Sequence, residues 1–307
     1  MNVLVIGGNG FIGSHLIDVL ILNGHKVRVY DLFNERYRPP LKMVDYRISS
    51  LDNIPDLHEA LLEIDMVFHL ASASVPSTSN VDMVSGINNN IIPTLNLLNL
   101  MLELNIKRFV YFSSGGAIYG NPKYLPLDED HPLNPISSYG VEKLTIEKYL
   151  LLYQQMFGLK PLILRPSNPY GPRQGHYVAQ GVISTFLRKV QMNESITVFG
   201  NGNAEKDYIF ISDLVRIVYE LSMENESGIY NIGSGIGTSL NKIIEEIKKA
   251  TKKSININYI DKKSYDVDQF VLDNSKTMNV IEYKPLISIE VGISNTWDWL
   301  NESKSNN

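Results

Sequence analysis

A tyrosine followed four residues later by a lysine is the spacing in this sequence that best predicts acid–base chemistry. On a helix, residues i and i+4 lie on one face, so the phenol and the ammonium would be neighbours. Lowering the pKa of a tyrosine from about 10 to about 7 requires about 4 kcal/mol. One cation about 4 Å from the phenolate supplies that energy at an effective dielectric near 20. Such a pair could accept the proton of an alcohol that loses hydride.

Three pairs in the 307-residue chain have this spacing: Tyr119/Lys123, Tyr139/Lys143 and Tyr259/Lys263. A glycine and a proline interrupt the first pair, and both disfavour a helix. The third pair begins in an alternating isoleucine–asparagine run, which is typical of a strand. Tyr139 and Lys143 begin a long helical stretch that follows the fourth predicted strand and the segment Ser113–Gly116. We therefore choose Tyr139 and Lys143 as the catalytic pair.

Glycines near the N-terminus predict a turn that binds a pyrophosphate. Gly7, Gly10 and Gly13 belong to the segment GGNGFIG, which lies between a predicted strand and a predicted helix. This pattern permits a tight turn and a close approach of the backbone to a pyrophosphate. The start of the helix, at Phe11 and Ile12, adds N–H groups and a partial positive charge. We therefore predict a dinucleotide site.

Asp31 ends the second predicted strand, about 20 residues after the glycines. A carboxylate at this position can accept hydrogen bonds from the adenosine ribose hydroxyls and would repel a 2′-phosphate. Asp31 therefore favours NAD as the cofactor. Arg36 and Arg38 follow closely and keep NADP open as an alternative.

Short apolar runs alternate with helix-length segments through the first half of the chain. The predicted strands are Val3–Ile6, Lys26–Tyr30, Met66–Leu70, Arg108–Phe112 and Pro161–Leu164, and the predicted helices are Phe11–Leu22, Leu57–Leu62, Ile91–Leu104 and Ser138–Phe157. Nearly continuous apolar runs are typical of parallel strands covered on both faces. The alternation predicts an α/β protein with a Rossmann-type doubly wound parallel sheet.

The second half of the chain has shorter elements separated by segments rich in glycine and proline. We interpret it as a smaller α/β C-terminal lobe that binds substrate. The predicted domains are residues 1–168 for NAD binding and 169–307 mainly for substrate. Residues 208–232, which contain possible strands at Tyr208–Ile211 and Tyr230–Ile232, are expected to return to the first domain. A helix is predicted over Ser239–Thr251.

Composition excludes several other classes of function. The net charge of −5 disfavours a broad nucleic-acid surface. The absence of cysteine excludes disulfides and thiolate metal sites, and we predict no metal site. Apolar runs are shorter than the roughly 18 residues of a membrane span, and the N-terminus lacks the basic region of a signal peptide. We expect a cytoplasmic protein that does not bind a membrane.

The chain resembles the extended short-chain dehydrogenase/reductases, and within them the NAD-dependent epimerase/dehydratase family. Besides the glycine turn and Asp31, the motifs that carry the resemblance are HLAS (69–72), NIIPTLNLL (90–98), SSGGAIYG (113–120), SYGVEK (138–143), RPSNPYGPRQ (165–174), KDYIFISDL (206–214), YNIGSG (230–235) and DVDQFVLDNSK (266–276). Their order and spacing extend the resemblance over nearly the whole chain.

The resemblance implies a role for each matching position. Cofactor contacts are expected from Leu70, Ala71, Ser72, Asn90, Ser113, Tyr139, Lys143 and Pro166, with Pro166 at the nicotinamide end. Substrate contacts are expected from Ser114, Tyr139, Asn168, Val182, Phe199, Lys206, Tyr208 and Lys263. Among these, Asn168 would bind the diphosphate of a nucleotide sugar and Phe199 would lie near its uracil.

Two departures from the family pattern affect the expected chemistry. Gly115 stands where the family carries a catalytic serine or threonine, so Ser114, Ser113 or a water could substitute, or Tyr139 could transfer the proton unaided. Gly116 and Ala117 stand where related dehydratases and decarboxylases carry acidic residues. Because glycine and alanine cannot act as acids or bases, elimination is disfavoured.

Three further positions concern the substrate. Lys206 and Lys263 stand where two arginines usually clamp the diphosphate, and a lysine lacks the bidentate fork of an arginine. Phe270 stands where 4-epimerases limit the room for a 2-N-acetyl group. Its bulk favours UDP-glucose and UDP-galactose over their N-acetylated counterparts.

These features lead us to expect an NAD-dependent nucleotide-sugar 4-epimerase that acts through a 4-keto intermediate. The alternatives are a 4-ketosugar reductase that releases NAD(P) and a non-catalytic dinucleotide-binding protein. The resemblance also implies a homodimer, paired through a four-helix bundle of the helices after Asn90 and near Tyr139. Its apolar contacts could come from Leu97, Leu98, Met101, Leu150 and Leu151, although burial within one subunit would explain these residues equally well.

Overall fold

The computed structural model describes residues 1–74, 79–175, 181–224, 227–261, 269–281 and 287–305, with side chains described through residue 302. The chain divides into two compact units. The first unit comprises residues 1–120, 132–166 and 215–230, and the second comprises residues 121–131, 167–214 and 231–307. Within the segment 208–232, residues 215–230 therefore belong to the first unit, and the residues on either side belong to the second.

The strands of the described chain are β1 (Asn2–Ile6), β2 (Lys26–Asp31), β3 (Val44–Ile48), β4 (Met66–His69), β5 (Arg108–Phe112), β6 (Lys160–Pro166), β7 (Asn168–Tyr170), β8 (Ile196–Phe199), β9 (Glu205–Phe210), β10 (Gly228–Ile232), β11 (Gly237–Ser239), β12 (Ile257–Ile260) and β13 (Gln269–Phe270). The largest sheet has the order β10-β6-β5-β4-β1-β2-β3. Every pair from β3 to β6 is parallel. The predicted doubly wound α/β fold is confirmed.

The helices of the described chain are α1 (Phe11–Leu22), α2 (Ile54–Leu61), α3 (Met83–Gly86), α4 (Ile92–Glu103), α5 (Gly115–Ile118), α6 (Ser138–Phe157), α7 (Val182–Gln191), α8 (Ile211–Met223), α9 (Leu240–Thr251), α10 (Ser275–Val280) and α11 (Ile289–Ser305). A π-helical turn, Ile87–Ile91, joins α3 to α4. Among the described residues, no helix combines the length and the apolar character needed to cross a bilayer.

The core of the first unit forms where the central strands meet the helices on either face. Val3, Leu4 and Val5 of β1 are fully buried, as expected for a strand covered on both faces. This burial explains why near-continuous apolar runs predicted these strands. Four residues named as candidate dimer contacts are fully buried in the same unit: Leu97, Leu98, Met101 and Leu150. Because a subunit interface needs exposed side chains, the burial of these four residues favours the alternative of packing within one subunit, and Leu151 is only half-buried.

The hydrophobic pattern of the sequence does not predict the strand β3, because its residues do not form an apolar run. Only Val44 is buried, and Ile48 is exposed, since β3 lies at the edge of the sheet. Its Asp45 instead forms an ion pair with Arg28 of β2, with 2.7 Å between Nε and Oδ2. As a result, the strand that precedes Ser113 is the fifth strand and not the fourth.

The second unit contains two small sheets. One has the order β11-β9-β13, with β7 also paired to β9, and the other pairs β12 with β8. Helix α9 begins after Ser239, whose side chain accepts a hydrogen bond from the amide of Lys242. Its Ile243, Ile244 and Ile247 are buried, which agrees with the periodicity that predicted this helix.

Candidate active site

The glycine turn connects β1 to α1 where the strand order reverses, because β1 lies between β2 and β4. Gly7 has a φ of +81°, and a Cβ atom there would lie 2.6 Å from the amide nitrogen of Ala71. Gly10 precedes α1, and Phe11, Ile12 and Gly13 form its first turn. The first N–H groups of a helix have no partner within the helix, so they suit a pyrophosphate. The turn therefore fits the dinucleotide that the sequence predicts.

Asp31 lies at the end of β2, next to the glycine turn. Its carboxylate accepts hydrogen bonds from the amides of Asn9 (2.9 Å) and Phe33 (3.0 Å). Burial raises the pKa of this carboxyl, while the two amides and Arg36 oppose that effect. These contacts fix the carboxylate of Asp31 beside the turn, where it could accept hydrogen bonds from the ribose hydroxyls of a bound dinucleotide.

The two arginines that kept NADP open make other contacts. Arg38 donates hydrogen bonds to the carboxylate of Asp18 and to the carbonyl of Ser14. Arg36 stacks on Phe33, with its guanidinium carbon 3.8 Å from the ring centroid. The charge of Arg38 is thus already matched by a carboxylate.

The loop after β4 contains Leu70, Ala71 and Ser72 and lies beside the glycine turn. The amide of Leu70 donates to the carbonyl of Ile6, which continues the pairing of β4 with β1. Asn90 of the π-helical turn accepts a 2.8 Å hydrogen bond from the amide of Ala73. This hydrogen bond links the loop after β4 to the π-helical turn.

Tyr139 and Lys143 lie in the first turns of α6. The side chain of Ser137 accepts a hydrogen bond from the amide of Gly140, which caps the helix. The ammonium of Lys143 donates to the carbonyl of Phe112 at 2.8 Å and lies 5.7 Å from the ring centroid of Tyr139. The structure therefore brings the two residues together at the carboxyl end of β5.

Ser113 and Ser114 follow β5 directly but have different partners. The side chain of Ser114 forms a hydrogen bond with Tyr139. The hydroxyl of Ser113 donates to the buried carboxylate of Glu147. Of the two serines, Ser114 is thus the one directed to the phenol.

Burial controls the protonation of this pair in the protein alone. Burial raises the pKa of Tyr139 to about 12, although the hydrogen bond with Ser114 acts in the opposite direction. Burial also lowers the pKa of Lys143 to about 8, against the attraction of Glu142 and Glu147. From the sequence we expected two cations, Lys143 and the oxidised nicotinamide, to bring the tyrosine pKa down to about 7. Lys143 alone does not achieve this, because its ammonium donates to a backbone carbonyl and burial of the phenolate dominates.

The other two tyrosine–lysine pairs are not helical pairs. Tyr119 is fully buried, and its hydroxyl accepts a 3.0 Å hydrogen bond from Arg165. Tyr259 lies on β12, as the alternating pattern predicted, and donates to Asn241. Its partner Lys263, which was also a predicted substrate ligand, lies outside the described residues.

The remaining predicted cofactor and substrate residues divide between the two units. Pro166 ends β6 in the first unit and is buried. In the second unit, Asn168 pairs in register with Tyr208, and Lys206 with Phe270. Val182 begins α7, and Phe199 ends β8 with 37% of its surface exposed.

The sequence model of the NAD-dependent epimerase/dehydratase family matches residues 3–233. The chain belongs to this family. Membership confirms the predicted family and the predicted NAD cofactor, and it makes the protein an enzyme of the epimerase/dehydratase group.

Individual relatives in the family cover nearly the whole chain. A protein of Methanocaldococcus jannaschii, provisionally named a UDP-glucose 4-epimerase, is 35% identical and covers 99% of both chains. The crystal structure of the Thermotoga maritima UDP-glucose 4-epimerase with UDP-glucose has a TM-score of 0.93. It is 33% identical and covers 99% of this chain and 100% of its own.

A third relative of the family carries a different activity in its name. The dTDP-4-dehydro-6-deoxyglucose reductase of Escherichia coli is 31% identical and covers 95% of each chain. Similar identities thus occur with an epimerase and with a reductase. The family relation therefore gives the class of enzyme, and this class includes both reactions.

Buried charges around α6 were not found from the sequence. Glu147 and Arg165, each 1% exposed, form an ion pair with 2.7 Å between Oε2 and Nη2. Glu142 is also buried and accepts hydrogen bonds from Ser74 and Asn90. A glutamate four residues after Lys143 resembles an ordinary surface pair on a helix, so the periodicity gave no signal of its burial.

Proposed function

We propose that this enzyme is an NAD-dependent nucleotide-sugar 4-epimerase of the UDP-glucose/UDP-galactose type. The observation that carries the proposal is the grouping of Ser114, Tyr139 and Lys143 in one unit with the glycine turn. Gly116 and Ala117 stand where a dehydratase would need acidic side chains, which favours a reaction without elimination.

The residues have distinct parts in this reaction. Tyr139 accepts the proton of the C4 hydroxyl, with Ser114 hydrogen bonded to its phenol. Lys143 contributes a positive charge that stabilises the phenolate as it forms. NAD, when bound, supplies reversible hydride transfer at C4. The 4-keto sugar then rotates so that its other face is presented. When hydride has returned to C4 on that face, Tyr139 gives the proton back to the C4 oxygen.

The two units have separate roles in this proposal. The first would hold NAD through the glycine turn, Asp31 and the loop after β4. The second would hold the nucleotide, with Asn168 and Lys206 at the diphosphate and Phe199 at the base. Asn168 donates to the backbone carbonyl of Asp207, which fixes its amide on β7.

Conversion of UDP-galactose without added cofactor tests the proposal. We expect UDP-glucose to accumulate to equilibrium and NAD to be released when the purified protein is denatured. Tyr139→Phe serves as the control and should be inactive while folded. If the wild-type protein leaves UDP-galactose, UDP-glucose and their N-acetylated counterparts unchanged, the proposal is wrong.

A 4-ketosugar reductase is the second candidate, favoured by the similarity to the E. coli reductase. Such an enzyme would consume one NADH or NADPH in each turnover. A nucleotide 4-ketosugar offered with NADH separates the two functions, because an epimerase causes no net NADH oxidation over many turnovers.

Phe270 supports a preference for sugars without a 2-N-acetyl group. Its ring is 5% exposed and lies on β13 beside Lys206 in the second unit. We expect a higher kcat/KM for UDP-glucose than for UDP-N-acetylglucosamine, and a smaller difference in Phe270→Ser. A wild-type preference for the N-acetylated sugar would contradict this part of the proposal.

We also propose a homodimer, paired through a face of the first unit that its own core leaves open. A groove of about 820 Å³ lies between α3, the π-helical turn and α6. Its apolar lining includes Met83, Ile87, Val141 and Tyr149, and each is at least 37% exposed. Packing α6 and the helices before it against a second copy would cover these side chains in a four-helix bundle.

A further inference from the structure

Glu142 is a buried carboxylate between Tyr139 and Lys143 in the sequence of α6, and it is 4% exposed. Its Oε2 accepts hydrogen bonds from the hydroxyl of Ser74 (2.6 Å) and the amide of Asn90 (2.7 Å). Its Oε1 accepts a hydrogen bond from the hydroxyl of Ser138 at 3.2 Å. All three partners are donors, as an ionised carboxylate requires.

The contacts of Glu142 join three elements of the first unit. Ser74 lies in the loop after β4, Asn90 in the π-helical turn, and Ser138 in α6. Asn90 also donates to Ser74 (2.9 Å) and accepts from the amide of Ala73, so the loop is held twice. Gly86 leaves the room that this arrangement needs, because a Cβ atom there would lie 2.1 Å from Oε1 of Glu142.

The charge of Glu142 is not matched by an arginine or lysine ion pair among the described residues, whereas that of Glu147 is matched by Arg165. A buried carboxylate without such a partner acts strongly on nearby cations. The ammonium of Lys143 lies 4.9 Å from the ring centroid of Tyr111 and 5.7 Å from that of Tyr139. It interacts electrostatically with His69, Glu142 and Glu147, and Glu147 is paired with Arg165.

We propose that Glu142 is a positioning residue. Its buried carboxylate ties α6 to the loop that follows β4, and its negative charge acts on the ammonium of Lys143. Its importance for catalysis rests on the proposed function. The hydrogen-bonded link to the loop and the effect of the charge on Lys143 are properties of the folded protein alone.

The electrostatic balance at Lys143 supports the second half of this proposal. Burial lowers the pKa of Lys143 to about 8, and Glu142 is the largest influence in the opposite direction, followed by Glu147. Without Glu142, burial would lower the pKa of Lys143 further, so that less of the lysine would carry its charge. The ion pair with Arg165 leaves Glu147 less able to replace it.

The variant Glu142→Gln removes the negative charge and can keep the hydrogen bonds that link α6 to the loop after β4. A glutamine oxygen can still accept from Ser74 and Asn90, and its amide can donate to the hydroxyl of Ser138. Titration of 13C-labelled lysine side chains by NMR follows Lys143 directly, with Lys143→Arg to assign its signal. We expect the Lys143 midpoint to fall by about one pH unit in Glu142→Gln. Glu103→Gln, which removes an exposed carboxylate from α4, should leave the midpoint unchanged.

The variant Glu142→Ala tests the tie, because it leaves the donors of Ser74 and Asn90 without their acceptor. We expect its Kd for NAD, measured by calorimetry on cofactor-free protein, to rise at least about tenfold. Glu142→Gln should stay within about twofold of wild type. If Glu142→Ala does not fold, Ser74→Ala removes one donor of the tie and should weaken NAD binding about threefold.

An unchanged Lys143 midpoint in Glu142→Gln would contradict the proposed influence of the Glu142 charge on Lys143. Unchanged NAD affinity in Glu142→Ala and Ser74→Ala would contradict the proposed link between α6 and the loop after β4. Neither measurement needs turnover. A protein that fails to epimerise UDP-galactose but shows both shifts would refute the proposed function and leave the role of Glu142 intact.

Discussion

At the scale of single residues, we propose that Ser114 relays the proton between the sugar hydroxyl and Tyr139. Its side chain is hydrogen bonded to the phenol, and this contact opposes the rise in the Tyr139 pKa caused by burial. We expect Ser114→Ala to lower kcat about 100-fold, within the usual contribution of a proton relay, with little change in KM. Steady-state kinetics with UDP-galactose measure this effect.

Ser113→Ala is the matched control, because the neighbouring serine donates to Glu147 instead. Its kcat should fall much less than that of Ser114→Ala. If Ser113→Ala and Ser114→Ala have equal effects, neither hydroxyl has the specific role that we assign to Ser114, and a water or Tyr139 alone transfers the proton.

Lys143 should control the pH at which Tyr139 becomes a base. Its ammonium lies 5.7 Å from the centre of the phenol ring. At an effective dielectric of 20, a charge at that distance is worth about 3 kcal/mol, or about two pH units of tyrosine pKa. We therefore expect the acidic limb of the kcat–pH profile to move up by one to about two units in Lys143→Ala.

Lys148→Ala provides the comparison for this profile, since Lys148 is an exposed lysine on the same helix. Its profile should match that of the wild-type enzyme. Coinciding acidic limbs for Lys143→Ala and wild type would show that the lysine charge does not tune the tyrosine.

At the scale of elements, a buried histidine links β4 to α4. The hydroxyl of Thr94 donates to the carbonyl of Asn90, so His69 must donate to Thr94 through Nε2, over 3.0 Å. Burial and then the charge of Lys143 lower the pKa of His69 from 6.5 to about 3. The imidazole is therefore neutral in the folded protein at physiological pH.

This neutral histidine should make the fold sensitive to acid. Between about pH 6.5 and about pH 3, the unfolded chain binds a proton that the folded protein does not, so stability falls as pH falls. From pH 7 to about pH 4.5, wild type should lose about 3 kcal/mol more unfolding free energy than His69→Gln. Urea unfolding at the two pH values tests this, and parallel losses in both proteins would contradict it.

The elements that the sequence predicted best are those with an unbroken pattern. Helices α1 and α6 begin and end at the predicted residues, because a glycine turn precedes one and a serine cap precedes the other. By contrast, the helix predicted from Ile91 is preceded by the π-helical turn that holds Asn90. Neither periodicity nor composition could indicate that turn, since it depends on contacts with the loop after β4.

At the scale of the whole molecule, the sequence predicted those parts of the candidate site whose residues lie close together along the chain. The tyrosine, the lysine and the glycines are recognisable from a few neighbouring residues. Glu142 could not be recognised in the same way, because its partners Ser74 and Asn90 are 68 and 52 residues away. Its role arises only when the parallel sheet brings these segments together.

The apolar face of α6 gives the last prediction, which concerns assembly. We expect the enzyme to sediment as a dimer of 34.7 kDa chains. Tyr149→Glu places a charge in the groove, where burial against a second copy would cost several kcal/mol, so the dimer should dissociate at micromolar concentration. Tyr259→Glu changes a tyrosine that is 53% exposed on β12 of the second unit, and it should leave the dimer intact. A wild-type monomer, or a Tyr149→Glu variant that remains dimeric, would show that this groove does not join two subunits.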